Sequence, residues 1–288
     1  MKQICVISGK GGTGKTSITA SLAFLMKQKI ICDCDVDADD LHLILKPTIL
    51  QQEDFYGLPL PEIDTEICIH CGKCWEVCQF KAIDIDLKID EISCERCGIC
   101  AHFCPQEAIT MKKVKSGEWY ISRTRRGTMV HARLGIAQEN SGLLVNIVRK
   151  QASILASKRR LKYILIDGPP GIGCPVISSL SGVDLSLIVT EPTLSGLHDL
   201  KRVADLSFQL RTKPVVCVNK FDINEDITKK IEDYCTENNI SVLEKIPFDP
   251  LFVTAMVEGK AIVEKFPESI ISQKIKTLWE KIENMLKK

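Results

Sequence analysis

The sequence lacks a surplus of either charge. Its 38 Lys and Arg face 37 Asp and Glu, a formal net charge of +1, so no global field points to nucleic acid or an acidic surface as a partner. It also lacks any apolar run of the roughly 18–20 residues that a membrane-spanning helix needs, and no membrane partner is expected. The opening MKQICVISG reads as a first strand, without the separate apolar region and cleavage site of a secretory leader. Fourteen cysteines would suit a secreted disulfide scaffold. With no such leader, and with cysteines clustered at metal-ligand spacing, the thiols are expected to be reduced and the protein cytoplasmic. At 288 residues, 45% of them hydrophobic, the chain can bury one large core or two modest ones. Two basic runs, RTRR (123–126) and SKRR (157–160), read as solvated faces.

Apolar, β-branched segments alternate with helical patterns through most of the chain. QICVIS (3–8) and KIICDCD (29–35) read as strands around a helix over about 16–27. Further strands are expected at YILIDG (163–168), LSLIVT (185–190), PVVCVN (214–219) and SVLEKIP (241–247), with helices between them, for example over 194–210 and 225–238. Such near-continuous apolar strands predict an α/β fold, a mostly parallel sheet with helices on both faces. The last helix, 269–288, aligns Ile271, Ile275, Leu278, Ile282 and Met285 on one face, and that stripe is expected to pack on the main sheet.

Residues 64–113 break the rhythm. The pattern C-x-x-C-G-x-C-x-x-x-C-x-x-x-A-I occurs twice, at 68–83 and 94–109, and a repeat of this kind marks one small pseudo-symmetric unit. The segment therefore reads as an inserted α+β domain like a bacterial ferredoxin. The main domain is then 1–63 with 114–288, and GEWYISRTRRGTMVHARL (117–134) returns the chain through one or two extra strands. Three cysteines at this spacing wrap one corner of a cubane cluster, and the fourth of each run serves the other cluster. One [4Fe–4S] cluster is thus assigned to Cys68, Cys71, Cys74 and Cys104, the second to Cys94, Cys97, Cys100 and Cys78. Proline follows the last cysteine of the second run (Pro105), whereas the first has Gln79. Zinc also binds C-x-x-C pairs, but two zinc sites would not need the shared Gly72/Gly98 and Ala-Ile tails. The other cysteines, Cys5, Cys32, Cys34, Cys217 and Cys235, read as small core residues.

GKGGTGKT (9–16) fits G-x-x-x-x-G-K-[ST], with a strand before it and a helix after. Gly9, Gly11, Gly12 and Gly14, with Lys10 and Thr13 between them, let backbone N–H groups turn inward around phosphates, and the helix N-terminus through Ser17 adds favourable partial charge. Lys15 would bridge the terminal phosphates and the Thr16 hydroxyl would bind Mg²⁺. ILIDGPPGIGCP (164–175) is an apolar strand ending in Asp167, placed to hold Mg²⁺ through water. CDCDVDADDLHLIL (32–45) puts Asp33, Asp35, Asp37, Asp39 and Asp40 at a strand end near the loop, where the ion and an attacking water need handling. Asn219, Lys220 and Asp222 match the N-K-x-D pattern with which GTPases read guanine.

Lys10 makes the loop resemble the deviant Walker A of the MinD/ParA-like ATPases, which include the nitrogenase iron protein. Over nearly its whole length the chain resembles the MinD-superfamily P-loop ATPases with an inserted ferredoxin domain, relatives of the Mrp-type iron–sulfur carriers. DVDADDLHLIL, DGPPGIGCP and GIAQENSGLLV (135–145) carry that resemblance, the last similar to a segment of relatives that handle apo-metallocofactors. The resemblance implies that Lys10 reaches across an ATP-dependent homodimer to the partner's phosphates. It makes the acidic segment switch I, with Asp35 positioning water or contacting Mg²⁺ and Asp39 relaying the nucleotide state. Asn219 would contact adenine, with Pro247, Phe248 and Asp249 of IPFDP (246–250) flanking the base, and Lys10 favours ATP over GTP. Cys174 shares the offset from Asp167 of a cluster ligand in the nitrogenase iron protein, which makes it a hypothetical metal ligand. That enzyme's second cysteine has no counterpart, because no cysteine lies between 104 and 174.

Lys10, Lys15 and Asp35 are accordingly the expected catalytic residues. The expected function is an ATPase that couples nucleotide state to one of two tasks: electron transfer to a redox partner, or iron–sulfur or metallocofactor assembly on an apo-metalloprotein acceptor. The alternative is a MinD/ParA-like positioning ATPase whose clusters are structural or sensory.

Overall fold

Ile4, Cys5, Val6 and Ile7 are fully buried in the first strand, β1 (Lys2–Ser8), because it pairs with neighbours on both sides and is covered on both faces. The structure, a computed structural model, describes residues 1–38, 40–135 and 141–287. After β1 come α1 (Lys15–Leu25), β2 (Lys29–Asp33), α2 (Leu41–Leu45) and β3 (Thr48–Tyr56). Then follow β4 (Leu60–Ile63), α3 (Lys73–Val77), α4 (Ile99–His102), β5 (Ile109–Lys112), β6 (Lys115–Thr124), β7 (Gly127–Leu134) and α5 (Ser141–Lys158). The remainder is β8 (Tyr163–Pro170), α6 (Cys174–Leu180), β9 (Leu185–Thr190), α7 (Leu194–Gln209), β10 (Lys213–Asn219), a 3₁₀ turn (Phe221–Ile223), α8 (Glu225–Glu237), β11 (Ser241–Ile246), α9 (Leu251–Val257), α10 (Ile262–Lys265) and α11 (Ile270–Lys287).

The main sheet has the order β11-β10-β9-β1-β8-β2-β7-β6-β3. From β11 to β7 each strand is parallel to its neighbour, which confirms the expected α/β class. The two-residue link between β6 and β7 closes a hairpin, a connection open only to antiparallel strands. The register places Asp33 of β2 opposite Asp167 of β8, so two acidic strand ends meet beside the loop that follows β1. On α11, Ile271, Ile275, Leu278 and Ile282 are buried in the main core, with Met285 packed against it. Four such side chains contribute up to about 6–12 kcal/mol of apolar burial before entropy is counted.

The chain forms two compact units. One comprises Met1–Gln52, Trp119–Arg133 and Ser141–Lys288; the other comprises Glu53–Glu118 with a short piece beginning at Leu134. The second unit extends beyond 64–113 because β4 pairs antiparallel with β5, from Leu60↔Lys112 to Ile63↔Ile109. Arg96 Nη1 also donates to the Leu58 carbonyl at 3.0 Å, and Lys115 pairs with Asp54 at 2.6 Å. Strand β3 was not anticipated. Its sequence TILQQEDFY is mostly polar and only Phe55 is buried, so it carries no core-strand signature. Among the described residues no helix is long and apolar enough to cross a membrane.

Candidate functional site

The loop between β1 and α1 is held by its neighbours. A Cβ on Gly9 would collide with Asp199, and one on Gly14, whose φ is +89°, with the Asn219 amide. Asn219 Nδ2 donates to the Thr13 carbonyl at 2.8 Å and Lys220 Nζ to the Gly12 carbonyl at 3.1 Å. The loop is thereby clamped by the end of β10. Ser17, in the first turn of α1, donates to Met256 Sδ of α9 at 3.1 Å. Asp222 Oδ1 accepts from the Phe248 backbone at 2.7 Å and Asp249 Oδ1 from that of Leu251 at 2.8 Å. The expected base-flanking segments, 219–222 and 247–249, thus meet, with the Phe248 ring exposed.

Lys15 lies buried among carboxylates. Its Nζ is 3.1 Å from Asp35 Oδ2, 3.3 Å from Asp167 Oδ1 and 3.3 Å from Thr16 Oγ1. Burial opposes its charge, yet Asp167, Asp35 and Asp33 hold its pKa above the ordinary lysine value. Asp33 is pushed the other way. Burial and then the Asp167 charge raise its carboxyl well above the usual range. Asp35 is also raised, by burial, against the opposing pull of Lys15. Thr19, one helical turn after Lys15, donates to Asp167 Oδ1 at 2.7 Å. Asp33 Oδ1 accepts from the Asp35 backbone at 3.1 Å. The other oxygens of Asp33 and Asp167 are buried without a hydrogen-bond partner, as are Thr13 Oγ1 and Asn219 Oδ1. Orphan polar atoms cost free energy when buried. Four of them around one loop mark a place shaped for a polar ligand.

The second loop lysine has a partner that sequence reasoning missed. Lys10 Nζ pairs with Glu191 Oε1 at 2.7 Å and reaches the hydroxyls of Thr193 (3.3 Å) and Ser195 (3.1 Å). The other Glu191 oxygen pairs with Lys220 at 3.1 Å. Burial raises the Glu191 carboxyl, but the two lysines outweigh it and hold the group below the usual range. Glu191 directly follows β9 and meets Lys10 because β9 neighbours β1 in the sheet, a pairing that no local sequence pattern encodes. Cys174 opens α6 and is exposed, with Gly142 of α5 packed against it. Asp39 and the 136–140 part of the segment 135–145 lie outside the described residues.

In the other unit the two cysteine runs adopt matching backbones. Gly72 and Gly98 cap α3 and α4 with φ of +73° and +74°, and His70/Arg96 and Lys81/Glu107 share left-handed φ near +52–55° at equivalent positions. Two cavities result. One is lined by Cys68, Cys71, Cys74 and Cys104, the other by Cys78, Cys94, Cys97 and Cys100, each about 20 Å³. Their near-equal size follows from the repeat, and in each the fourth cysteine comes from the opposite run. Burial pushes the thiols of Cys74 and Cys100 up. The Ala108 N–H donates to Cys104 Sγ at 3.3 Å. Among the described residues no group of three His, Cys, Asp or Glu side chains is placed to hold a single metal ion; the cysteines line the cavity walls.

Residues 4–262 match the CobQ/CobB/MinD/ParA nucleotide binding domain family. An uncharacterized protein of Methanocaldococcus jannaschii is 33% identical over 288 residues, 99% of this chain and 97% of its own length. The cytosolic Fe-S cluster assembly factor NUBP1 homolog of Caenorhabditis briggsae is 26% identical over 43% of this chain and 45% of its own. Among solved structures, the septum site-determining protein MinD of Pyrococcus horikoshii, complexed with Mg-ADP, superposes with a TM-score of 0.61 at 20% identity, covering 99% of this chain and 97% of that one.

Proposed function

The chain belongs to the CobQ/CobB/MinD/ParA nucleotide-binding family, and on that premise we propose an ATPase that carries two [4Fe–4S] clusters and couples nucleotide state to electron transfer or metallocofactor assembly. The observation that carries the cluster half is the sorting of eight cysteines into two four-cysteine cavities, each completed across the repeat. A single Zn²⁺ draws four thiolates to about 2.3 Å, whereas thiolates lining the walls of a cavity suit a multi-iron centre. Cys68, Cys71, Cys74 and Cys104 would hold one cluster and Cys94, Cys97, Cys100 and Cys78 the other, supplying one-electron exchange when bound. The Ala108 N–H on Cys104 is the sort of bond that tunes such a centre.

At the nucleotide end, the Thr16 hydroxyl and the unpartnered Asp33 and Asp167 oxygens are hard donors of the kind Mg²⁺ accepts. The ion when bound neutralises phosphate charge. An incoming triphosphate competes with Asp35 for the Lys15 ammonium, which frees the Asp35 carboxylate to orient the attacking water. Its pKa, raised by burial, makes it a better proton acceptor than an ordinary aspartate. Asn219, Phe248 and Asp249 flank the base, and Lys10 leaves Glu191 to meet the phosphates of a second copy. Cys174 is a proposed ligand on the same dimer. The acidic segment precedes β3 in the chain, and β3 leads into the cysteine unit, so a change at 33–38 has a short covalent path to the clusters.

The test is anaerobic purification, iron and acid-labile sulfide analysis, and EPR of the reduced protein with and without Mg·ATP. About eight irons per chain and a spectrum that responds to nucleotide are expected. Zinc without iron, or no affinity for either purine triphosphate, refutes the proposal. Retained clusters with a spectrum indifferent to nucleotide would leave the positioning ATPase.

A further inference from the structure

The two basic runs read as solvated faces are brought together by the fold. The β6–β7 turn supplies Arg125 and Arg126, Arg159 directly follows α5, Lys27 lies between α1 and β2, and Lys29 begins β2. They line one cavity of about 510 Å³, whose remaining walls include Phe24, Leu25 and Leu161. Among the described residues, no carboxylate lines it. Arg125 is already neutralised by Glu264 at 3.1 Å; among the described residues the cavity offers the other four cations no carboxylate.

Lys29 is the unusual member. Only 7% exposed, its ammonium gives two of its three protons to carbonyls, Met26 at 2.9 Å and Arg126 at 2.6 Å. Burial and then the Arg126 charge lower its pKa to about 8, an electrostatic debt that a bound anion would relieve. The Arg126 guanidinium lies 3.4 Å from the centroid of Phe24 and Arg159 Nη1 donates to Thr128 at 2.5 Å, so both forks are pre-positioned. Paired guanidiniums with an ammonium suit a phosphate dianion better than a monocarboxylate. The apolar wall and the volume admit an organic body beside it.

The cavity is separate from the nucleotide loop. Lys29 begins β2 while Asp33 ends it, and β1 and β2 are both parallel to β8. The loop therefore lies at the C-terminal ends of these strands and the cavity at their N-terminal ends. The geometry points to a second anion site, in which Lys27, Lys29, Arg126 and Arg159 hold the phosphate of a small phosphomonoester.

The test titrates phenyl phosphate, by calorimetry, into the full-length chain with Mg·ADP saturating the loop. One saturable site per chain is expected, weakened at least tenfold in Arg126→Gln/Arg159→Gln, two exposed positions whose replacement should leave the circular dichroism unchanged. Lys29→Met should abolish the site. Inorganic phosphate should bind more weakly than phenyl phosphate, and benzoate not measurably. Phosphatidylglycerol vesicles and a short DNA duplex are run in parallel. No binding, binding indifferent to the arginines, or tighter arginine-dependent binding of the vesicles or the duplex overturns the assignment.

Discussion

Glu191 holds two lysines of the phosphate loop region at once, and replacing it with glutamine exposes what the loop is built to receive. The side chains of Glu191, Lys10 and Lys220 are 16%, 31% and 28% exposed, so each pair is partly screened. Each is worth about 0.5–1 kcal/mol, toward the upper end for exposed ion pairs. Glu191→Gln should therefore cost the nucleotide-free chain about 1–2 kcal/mol, a fall in Tm of roughly 2–6 °C for a domain of this size. It also leaves two ammonium groups uncompensated beside the loop. A bound triphosphate supplies the missing charge, so linkage requires nucleotide affinity to rise by up to the same free energy, roughly 5–30-fold. The assay pairs thermal unfolding, with and without a non-hydrolysable Mg·ATP analogue, with calorimetric titration of that analogue. An equal fall in Tm in both conditions, or weaker nucleotide binding, would refute the reasoning.

Other outcomes follow from the same geometry. The crossed cavities require Cys104→Ser combined with Cys68→Ser to lose one cluster, and Cys104→Ser combined with Cys94→Ser to lose both; iron content after anaerobic reconstitution separates these results. Asp35→Asn should slow ATP hydrolysis by about 10²–10⁴-fold while leaving nucleotide binding within a few-fold, and comparable loss of both would deny it a role in handling water. His131 is buried, its Nε2 2.9 Å from Ser122 Oγ, and burial lowers its pKa from 6.5 to about 4. The unfolded chain then binds a proton that the folded one does not. Stability should fall as pH drops from about 6.5 toward 4, by up to about 1.4 kcal/mol per unit. Urea unfolding of His131→Gln against wild type should show that slope removed, and an unchanged slope would assign it elsewhere. If Cys174 ligates metal on the proposed dimer, Cys174→Ser should lower iron per dimer below that of the wild type without emptying either four-cysteine cavity; identical iron content would dismiss it.

Strands β1, β8, β9 and β10 were legible because each is a nearly unbroken apolar run, as a doubly covered parallel strand must be. The loop and the strand-end Asp167 were legible because G-x-x-x-x-G-K-[ST] and an apolar run ending in Asp are local patterns. Glu191 and Thr19 were not. Glu191 meets Lys10 only because β9 neighbours β1, and Thr19 reaches Asp167 only because α1 lies beside β8, facts of tertiary register that no local pattern encodes. Asp33 was visible as one of five carboxylates, but its pairing with Asp167 depends on the β2–β8 alignment. The same holds for RTRR and SKRR, each unremarkable alone and meaningful once the β6–β7 turn meets the end of α5.

Among the described residues, β3 is the outermost strand at one rim of the main sheet. Rims of this kind invite strands from other molecules and, with them, insoluble stacking. At its middle β3 carries Gln51, Gln52, Glu53 and Asp54, and Asp54 is held by Lys115 at 2.6 Å, so a foreign strand laid along this rim would meet charged groups that must stay solvated. This gatekeeping disfavours stacking of copies along the rim.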